Sequence, residues 1–173
     1  MNSKSSMKPL LMNAALAGAL AVFAAAAAAA SQQYPKEGKL AFRSCWSGVS
    51  KVVALSKTDV AYSYEFTGES IADVPGSLLD HHTFQCEGMG ARSGKKRTIS
   101  DTVCVDLDPD GDRIMSRYTL GKDGHYFRKQ LAGTGKYEGM VTHTKVVDLA
   151  PFPRIKPGTF QGCNYTTGTY KLK

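Results

Sequence analysis

The sequence predicts an all-β domain, an antiparallel closed or nearly closed barrel of about eight strands, behind an N-terminal signal peptide. Three observations carry that prediction. Apolar and aromatic residues alternate with polar ones at period two in one stretch after another, turn residues punctuate those stretches at short intervals, and nothing after residue 30 has a helical period. Many short strands separated by turns are the sequence form of a sandwich or closed barrel.

The first thirty residues stand apart. Lys4 and Lys8 precede an apolar run from Pro9 to Phe23, and seven consecutive alanines, Ala24 to Ala30, end it. A basic start, an apolar middle and a small-residue end make a secretory leader, with Ala28-x-Ala30 before Ser31 as the cleavage site. A retained membrane anchor is the competing reading, but Asn13, Gly18 and the weakly hydrophobic alanines dilute the run. Cleavage near Ala30 implies a secreted or periplasmic protein of 143 of the 173 residues, enough for one domain. The whole chain carries +7, and loss of Lys4 and Lys8 leaves +5, a modest excess that favours anionic surfaces.

Residues 31–39, with Pro35 and Gly38, read as an N-terminal arm, and residues 40–173 as a single β-barrel domain. In the first strand Leu40, Phe42 and Trp46 lie on one side, with Ala41, Arg43 and Cys45 on the other; Lys51 to Leu55 reads as a second, short strand. Val60, Tyr62, Tyr64 and Phe66 form one face of the clearest strand, turned to a core or a cavity. Pro75-Gly76 breaks the chain, His81 to Glu87 carries Cys86, and Gly88 to Arg97 reads as an exposed connection. Thr98 to Leu107 follows with Ile99, Val103, Val105 and Leu107 on its expected apolar face, interrupted by Asp101. Asp110-Gly111 turns the chain into a strand from Arg113 to Leu120, and Gly121 to Gly124 turns it again into His125 to Leu131. Tyr137 to Leu149 reads as a long or bent strand, Pro151, Pro153 and Pro157 enforce a loop, and Thr159 to Leu172 closes the domain.

All four cysteines lie after the leader, and an even count in an exported chain reads as two disulfides. Strands folding back around Ser93 to Arg97 would set Cys86 opposite Cys104, which leaves Cys45 to meet Cys163 and tie the first strand to the last. Zinc is the alternative, but no two cysteines and no cysteine–histidine pair have knuckle spacing.

Gly133-Thr134-Gly135-Lys136-Tyr137-Glu138-Gly139 is a backbone signal, since glycine among β-type residues marks a bulge, a barrel corner or a close approach of another backbone. This segment, with Asp106 to Asp112 before it and Gly168-Thr169-Tyr170 near the end, resembles the allene oxide cyclase and dirigent barrel superfamily, over about the second half of the domain. The resemblance implies an eight-stranded antiparallel barrel with a lipophilic cavity, in a secreted, bacterial-type member. Known members guide cyclisation of hydrophobic intermediates or steer radical coupling. No active-site motif of that family maps onto particular positions, so the resemblance assigns no catalytic residue. The two disulfides and the leader depart from the plant enzymes.

Asp106-x-Asp108-x-Asp110-Gly111-Asp112 looks like the start of a calcium loop, but its twelfth position is Arg117 and its flanks are strands, so the expected reading is an acidic turn without a metal. His81 and His82 would point to opposite faces of a strand, and His125 and His143 lie elsewhere; acid–base work by a histidine with Glu65 or Glu138 is one catalytic option. Arg92, Lys95, Lys96 and Arg97 form a basic cluster that reads first as a solvated loop tip, with contact to an anionic surface as the alternative. No aromatic is interleaved with them, so specific nucleic-acid binding is not expected. No nucleophile elbow, phosphate loop or metalloprotease helix appears, and no cofactor is implied.

The expected function is binding of a small hydrophobic ligand by a wall that includes Phe42, Trp46, Tyr62, Tyr64, Phe66, Tyr118 and Tyr137. A cyclase-like enzyme in the same cavity, and a structural or partner-binding protein without ligand, are the alternatives. Intact-mass analysis of exported protein is expected to find a chain starting near Ser31 with every cysteine oxidised. Retention of residues 1–30, or thiols open to alkylation, would remove the corresponding half of that expectation.

Overall fold

Each strand pairs antiparallel with the next in sequence, and the last returns to the first. The computed structural model describes residues 34–173, so the leader reading falls outside the described residues. The strands are β1 (Glu37–Ala54), β2 (Asp59–Ala72), β3 (His82–Ser93), β4 (Lys96–Leu107), β5 (Arg113–Leu120), β6 (Tyr126–Gly133), β7 (Val141–Asp148) and β8 (Thr159–Lys171), closed into a barrel in that order. This is the all-β, eight-stranded antiparallel barrel that the alternation predicts.

The boundaries depart from the sequence reading where a strand has two partners. Lys51 to Ala54 is no separate strand but the far end of β1, which pairs with β8 over Glu37–Val49 and with β2 over Phe42–Ala54, so the stagger of the two ladders keeps it continuous. Glu37 to Lys39 of the expected arm belong to β1 for the same reason. Gly88 to Arg97 is largely ladder: β3 and β4 remain paired to Ser93 and Lys96, with an irregularity at Ala91/Arg92. Closure in a β-barrel demands bends of that kind.

The face of β4 is inverted relative to its apolar pattern. Ser100, Thr102, Cys104 and Asp106 are buried, while Ile99, Val103 and Leu107 are 56%, 40% and 38% exposed. A one-residue shift of register would exchange these sets. Cys104 opposite Cys86 holds the observed one, and Ser100, Thr102 and Asp106 all find polar partners inside. Asp101, turned outward, accepts a hydrogen bond from Arg117 Nε at 2.8 Å.

Beyond Gly133 the glycine-rich segment is a connection between strands and not part of one. Gly133 ends β6, residues Gly135–Tyr137 make one 3-10 turn, and β7 begins only at Val141, so the long strand expected from Tyr137 to Leu149 is cut at both ends. Close approach is what the glycines serve. A Cβ on Gly133 would stand 2.3 Å from the Tyr137 carbonyl oxygen, and Gly135, at φ 49°, lies against the Asp112 carboxylate. That contact belongs to a charge cluster: the Lys136 ammonium meets Asp108, Asp110 (2.6 Å) and Asp112 (3.7 Å) and lies 5.3 Å from the Tyr137 ring centre. Asp108 Oδ1 accepts the backbone N–H groups of Asp110 and Asp112 at 2.9 Å, so the turn carboxylates are met by backbone amides and the Lys136 ammonium. Asp106 stands apart from them, inside the barrel.

Leu40, Phe42, Leu78, Leu79, Ile114, Tyr137, Met140 and Tyr170 form a core at the end where β1 starts, β8 stops and the β2–β3, β4–β5 and β6–β7 connections lie. It is a floor. The opposite end has no such plug among the described residues.

Both disulfides join residues directly opposite in register: Cys45–Cys163 staples β1 to β8, and Cys86–Cys104 lies within the β3–β4 hairpin. They close loops of very different length, with separations of 118 and 18 residues. From chain entropy alone, Cys45→Ser/Cys163→Ser is expected to lose about 5 kcal/mol and Cys86→Ser/Cys104→Ser about 3 kcal/mol. Urea unfolding of the two variants checks the order; a larger loss for the second would mean that packing of the inward-facing bridge outweighs loop length.

Candidate functional site

Above the floor the barrel encloses a cavity of about 660 Å³. Its walls differ because the inward positions of different strands differ. β1, β2, β3 and β8 contribute Trp46, Tyr62, Tyr64, Phe66, Phe84 and Phe160, and the rings touch one another: Phe66 lies 5.4 Å from Trp46, 5.9 Å from Phe160 and 6.2 Å from Phe84, centre to centre. Tilted and edge-on contacts at these distances are the favourable aromatic geometries.

The facing wall is polar. β4 supplies Ser100, Thr102 and Asp106, β5 supplies Tyr118, and β6 supplies Tyr126 and Arg128. Arg128 donates from Nε to the Tyr118 hydroxyl at 3.1 Å and from a terminal nitrogen to Thr142 Oγ1 at 3.3 Å, and its other terminal nitrogen lies 3.8 Å from Asp106 Oδ2. Tyr64 and Thr102 share a hydrogen bond of 2.6 Å, and the Tyr126 hydroxyl donates to Ser100 at 3.0 Å. The two walls are therefore joined through Tyr64, whose ring belongs to one and whose hydroxyl belongs to the other.

Burial shifts the titration of this wall. Asp106 is pushed up to about 6 by desolvation, which Arg128 opposes only in part. Tyr118 is raised by burial as well. His82, in the floor and hydrogen-bonded to the Tyr137 hydroxyl at 3.0 Å, is driven down to about 4 by burial, so it is neutral at neutral pH.

Of the seven aromatic residues that the sequence nominates for the wall, Phe42, Trp46, Tyr62, Tyr64, Phe66 and Tyr118 line the cavity. Tyr137 does not; it is 1% exposed and packed in the floor beneath it. Arg92, Lys95 and Arg97 line the mouth, while Lys96 lies beside them outside the lining. Glu65 and Glu138 are exposed and outside the cavity, and the four histidines do not converge: His81, His125 and His143 are exposed at separate places. Among the described residues no three of His, Cys, Asp and Glu are placed to hold a metal ion.

Sequence reasoning misses Asp106, Arg128, Phe84 and Phe160. The signal for Arg128 is its alternation with Tyr126 and Gln130 in β6, and for Phe160 its alternation with Gly162 and Asn164 in β8.

No family model, curated protein or solved structure matches the chain. The chemistry of the site rests on its own residues. The aromatic wall offers apolar contact, the Tyr118, Tyr126 and Arg128 groups offer hydrogen bonds, and Asp106 is a carboxyl that changes charge near pH 6. A shallower groove on the outer wall, along Glu69, Gln85 and Arg113, brings no buried titratable group together.

Asp106 and His82 pull stability in opposite directions. The folded state holds a proton on Asp106 up to about pH 6 that the unfolded chain releases near 3.8, so this group's contribution falls as pH rises through that window. Between about pH 4 and 6.5 His82 is protonated only in the unfolded chain, so its contribution rises with pH across that window. Asp106→Asn removes the falling contribution. Relative to the parent, the variant's stability is expected to climb more steeply from pH 4 to 6, by up to about 1.4 kcal/mol per pH unit. Urea unfolding at several pH values measures it, and parallel curves would show that Asp106 titrates normally.

Proposed function

We propose that this is an exported protein that binds a small, largely apolar molecule carrying a polar end. One observation carries the reading: a chamber of about 660 Å³, closed by a floor and open at the far end, with aromatic rings on one wall and an Arg128–Asp106–Tyr118 cluster on the other. That volume lies within the range of small-molecule sites, which are mostly apolar with a few convergent polar groups. Asn164 lines the same chamber and its buried Oδ1 has no protein partner, a cost that a ligand's donor would offset. The leader pattern and the two disulfides support an extracellular or periplasmic location.

A second reading has its own support. A buried carboxyl raised to about 6, next to a tyrosine hydroxyl and a guanidinium, can pass a proton to or from a bound molecule near neutral pH. This is the cyclase-like alternative, in keeping with the resemblance of the Gly133–Gly139 segment to the allene oxide cyclase and dirigent barrels.

Mass spectrometry of lipophilic extracts from natively purified protein is expected to find a bound molecule, and the uncharged apolar probe N-phenyl-1-naphthylamine is expected to quench Trp46. Phe66→Ala, which removes the ring between Trp46 and Phe160, should weaken the probe by about tenfold. An empty extract together with no quenching would leave the structural, ligand-free role. If an extracted molecule is chemically altered on incubation and Asp106→Asn or Tyr118→Phe stops the change, the enzyme reading replaces simple binding.

A further inference from the structure

The up-and-down strand order brings four connections to one rim: residues 55–58, 94–95, 121–125 and 149–158. A backbone bond joins two of them, Gly94 N donating to Thr58 O at 3.1 Å, and another holds the last connection to β1, Ser50 N donating to Gly158 O at 2.8 Å. The cavity opens here, since Val52, Val60, Lys95, Pro151, Phe152 and Arg154 are part of its lining.

Two features of this rim are costly or idle in water. The first is apolar: Leu55 is 91% exposed, Ile155 83%, Val53 74% and Phe152 51%. Leu55, Phe152 and Ile155 stand in turns and loops, where a polar residue would serve the backbone equally well; Phe152 also lines the mouth, but Leu55 and Ile155 lie outside the lining, and neither strand alternation nor a core explains them. The second is cationic: Lys57, Arg92, Lys95, Lys96, Arg154 and Lys156 share the rim. Its acids are fewer: Asp59, which accepts hydrogen bonds from Ser56, Thr58 and Ser93, Asp148, 3.8 Å from Arg97, and Asp123. At the opposite end Asp73, Asp80, Asp108, Asp110 and Asp112 offset the bases there, Lys36, Lys39, Arg113, Lys136 and Lys171. Charge is thus unevenly distributed along the barrel axis, which orients the rim toward a negative surface from a distance.

We propose that this rim docks on an anionic lipid surface, with Leu55, Phe152 and Ile155 entering the boundary between headgroups and acyl chains and the basic side chains lying over the phosphates. Charge alone would fit any polyanion. Exposed apolar side chains alone would fit any apolar face. Their combination on one rim fits the boundary that offers both, and a soluble polyanion has no apolar layer to receive the side chains. Docked in this way, the mouth opens onto the membrane, and an apolar molecule reaches the chamber without crossing water. The docking itself does not depend on the ligand reading, because it is measured with the chamber empty or full.

The test is flotation of the exported protein with vesicles of phosphatidylcholine, with and without phosphatidylglycerol. Binding is expected only where phosphatidylglycerol is present and is expected to weaken at high salt. Lys95→Glu/Arg154→Glu should lower the affinity by about tenfold or more, and Leu55→Ser/Ile155→Ser should lower it at both salt concentrations. Lys129→Glu/Lys171→Glu makes the same change in net charge away from the rim and should bind as the parent does. All six positions are on the surface, and near-UV circular dichroism verifies that each variant is folded. Equal binding to both vesicle types, equal loss in the Lys129/Lys171 variant, or retention on heparin without flotation would each overturn the proposal. Failure of flotation would leave probe binding by the chamber unaffected, so the two readings fall separately.

Discussion

A guanidinium with its side chain 1% exposed has to be met on every side by groups that accept hydrogen bonds or carry negative charge, and the interior of the barrel is arranged to meet Arg128. Tyr118, Thr142 and Asp106 come to it from β5, β7 and β4, so the strands on both sides of β6 are committed to the same group. Asp106 in turn is tolerable inside only because Arg128 is there. Burial still raises its affinity for a proton, which places a titrating carboxyl at depth. One buried cation therefore supports the inward face of β4 that the Cys86–Cys104 bridge holds, and sets the centre of the polar wall.

The other half follows from side-chain volume. β1, β2 and β8 contribute rings where the polar strands contribute hydroxyls, and Phe66 touches Trp46, Phe84 and Phe160 at once. Eight-stranded barrels are narrow enough for inward side chains to fill them. Here the floor is filled by Leu79, Ile114, Tyr137 and Met140, while the upper layers leave room between the two walls. A gradient from packed floor to open rim results within one continuous sheet.

How far the sequence could be read depended on whether inside meant apolar. Along β2 it does, and Val60, Tyr62, Tyr64 and Phe66 line the chamber as their alternation predicts. Both cysteine pairings were legible too, because hairpin geometry and the need to join first and last strands leave few choices. Along β4 the rule fails. Ile99, Val103 and Leu107 look like a core stripe, yet the inward set is Ser100, Thr102, Cys104 and Asp106, whose partners lie on strands far away in sequence. Pairings over such separations leave no local pattern, and this hid Asp106 and Arg128 while the aromatic wall was plain. The glycines around Lys136 were readable as sites of close approach, but whether that approach fell inside a strand or between two depended on Asp112, again distant.

The strands of this barrel are not joined alike. β8 and β1 pair over thirteen positions and carry a covalent bridge, whereas β6 and β7 pair only at Tyr126 and Val146. Below that single rung the gap is spanned by side chains, Arg128 reaching Thr142 and Gln130 reaching the Tyr137 carbonyl. The cylinder resembles a bracelet with one clasp. Parting it there breaks fewer backbone hydrogen bonds than parting it at any other joint, so the closure of the barrel at this seam rests on buried side chains where the other seams rest on the ladder.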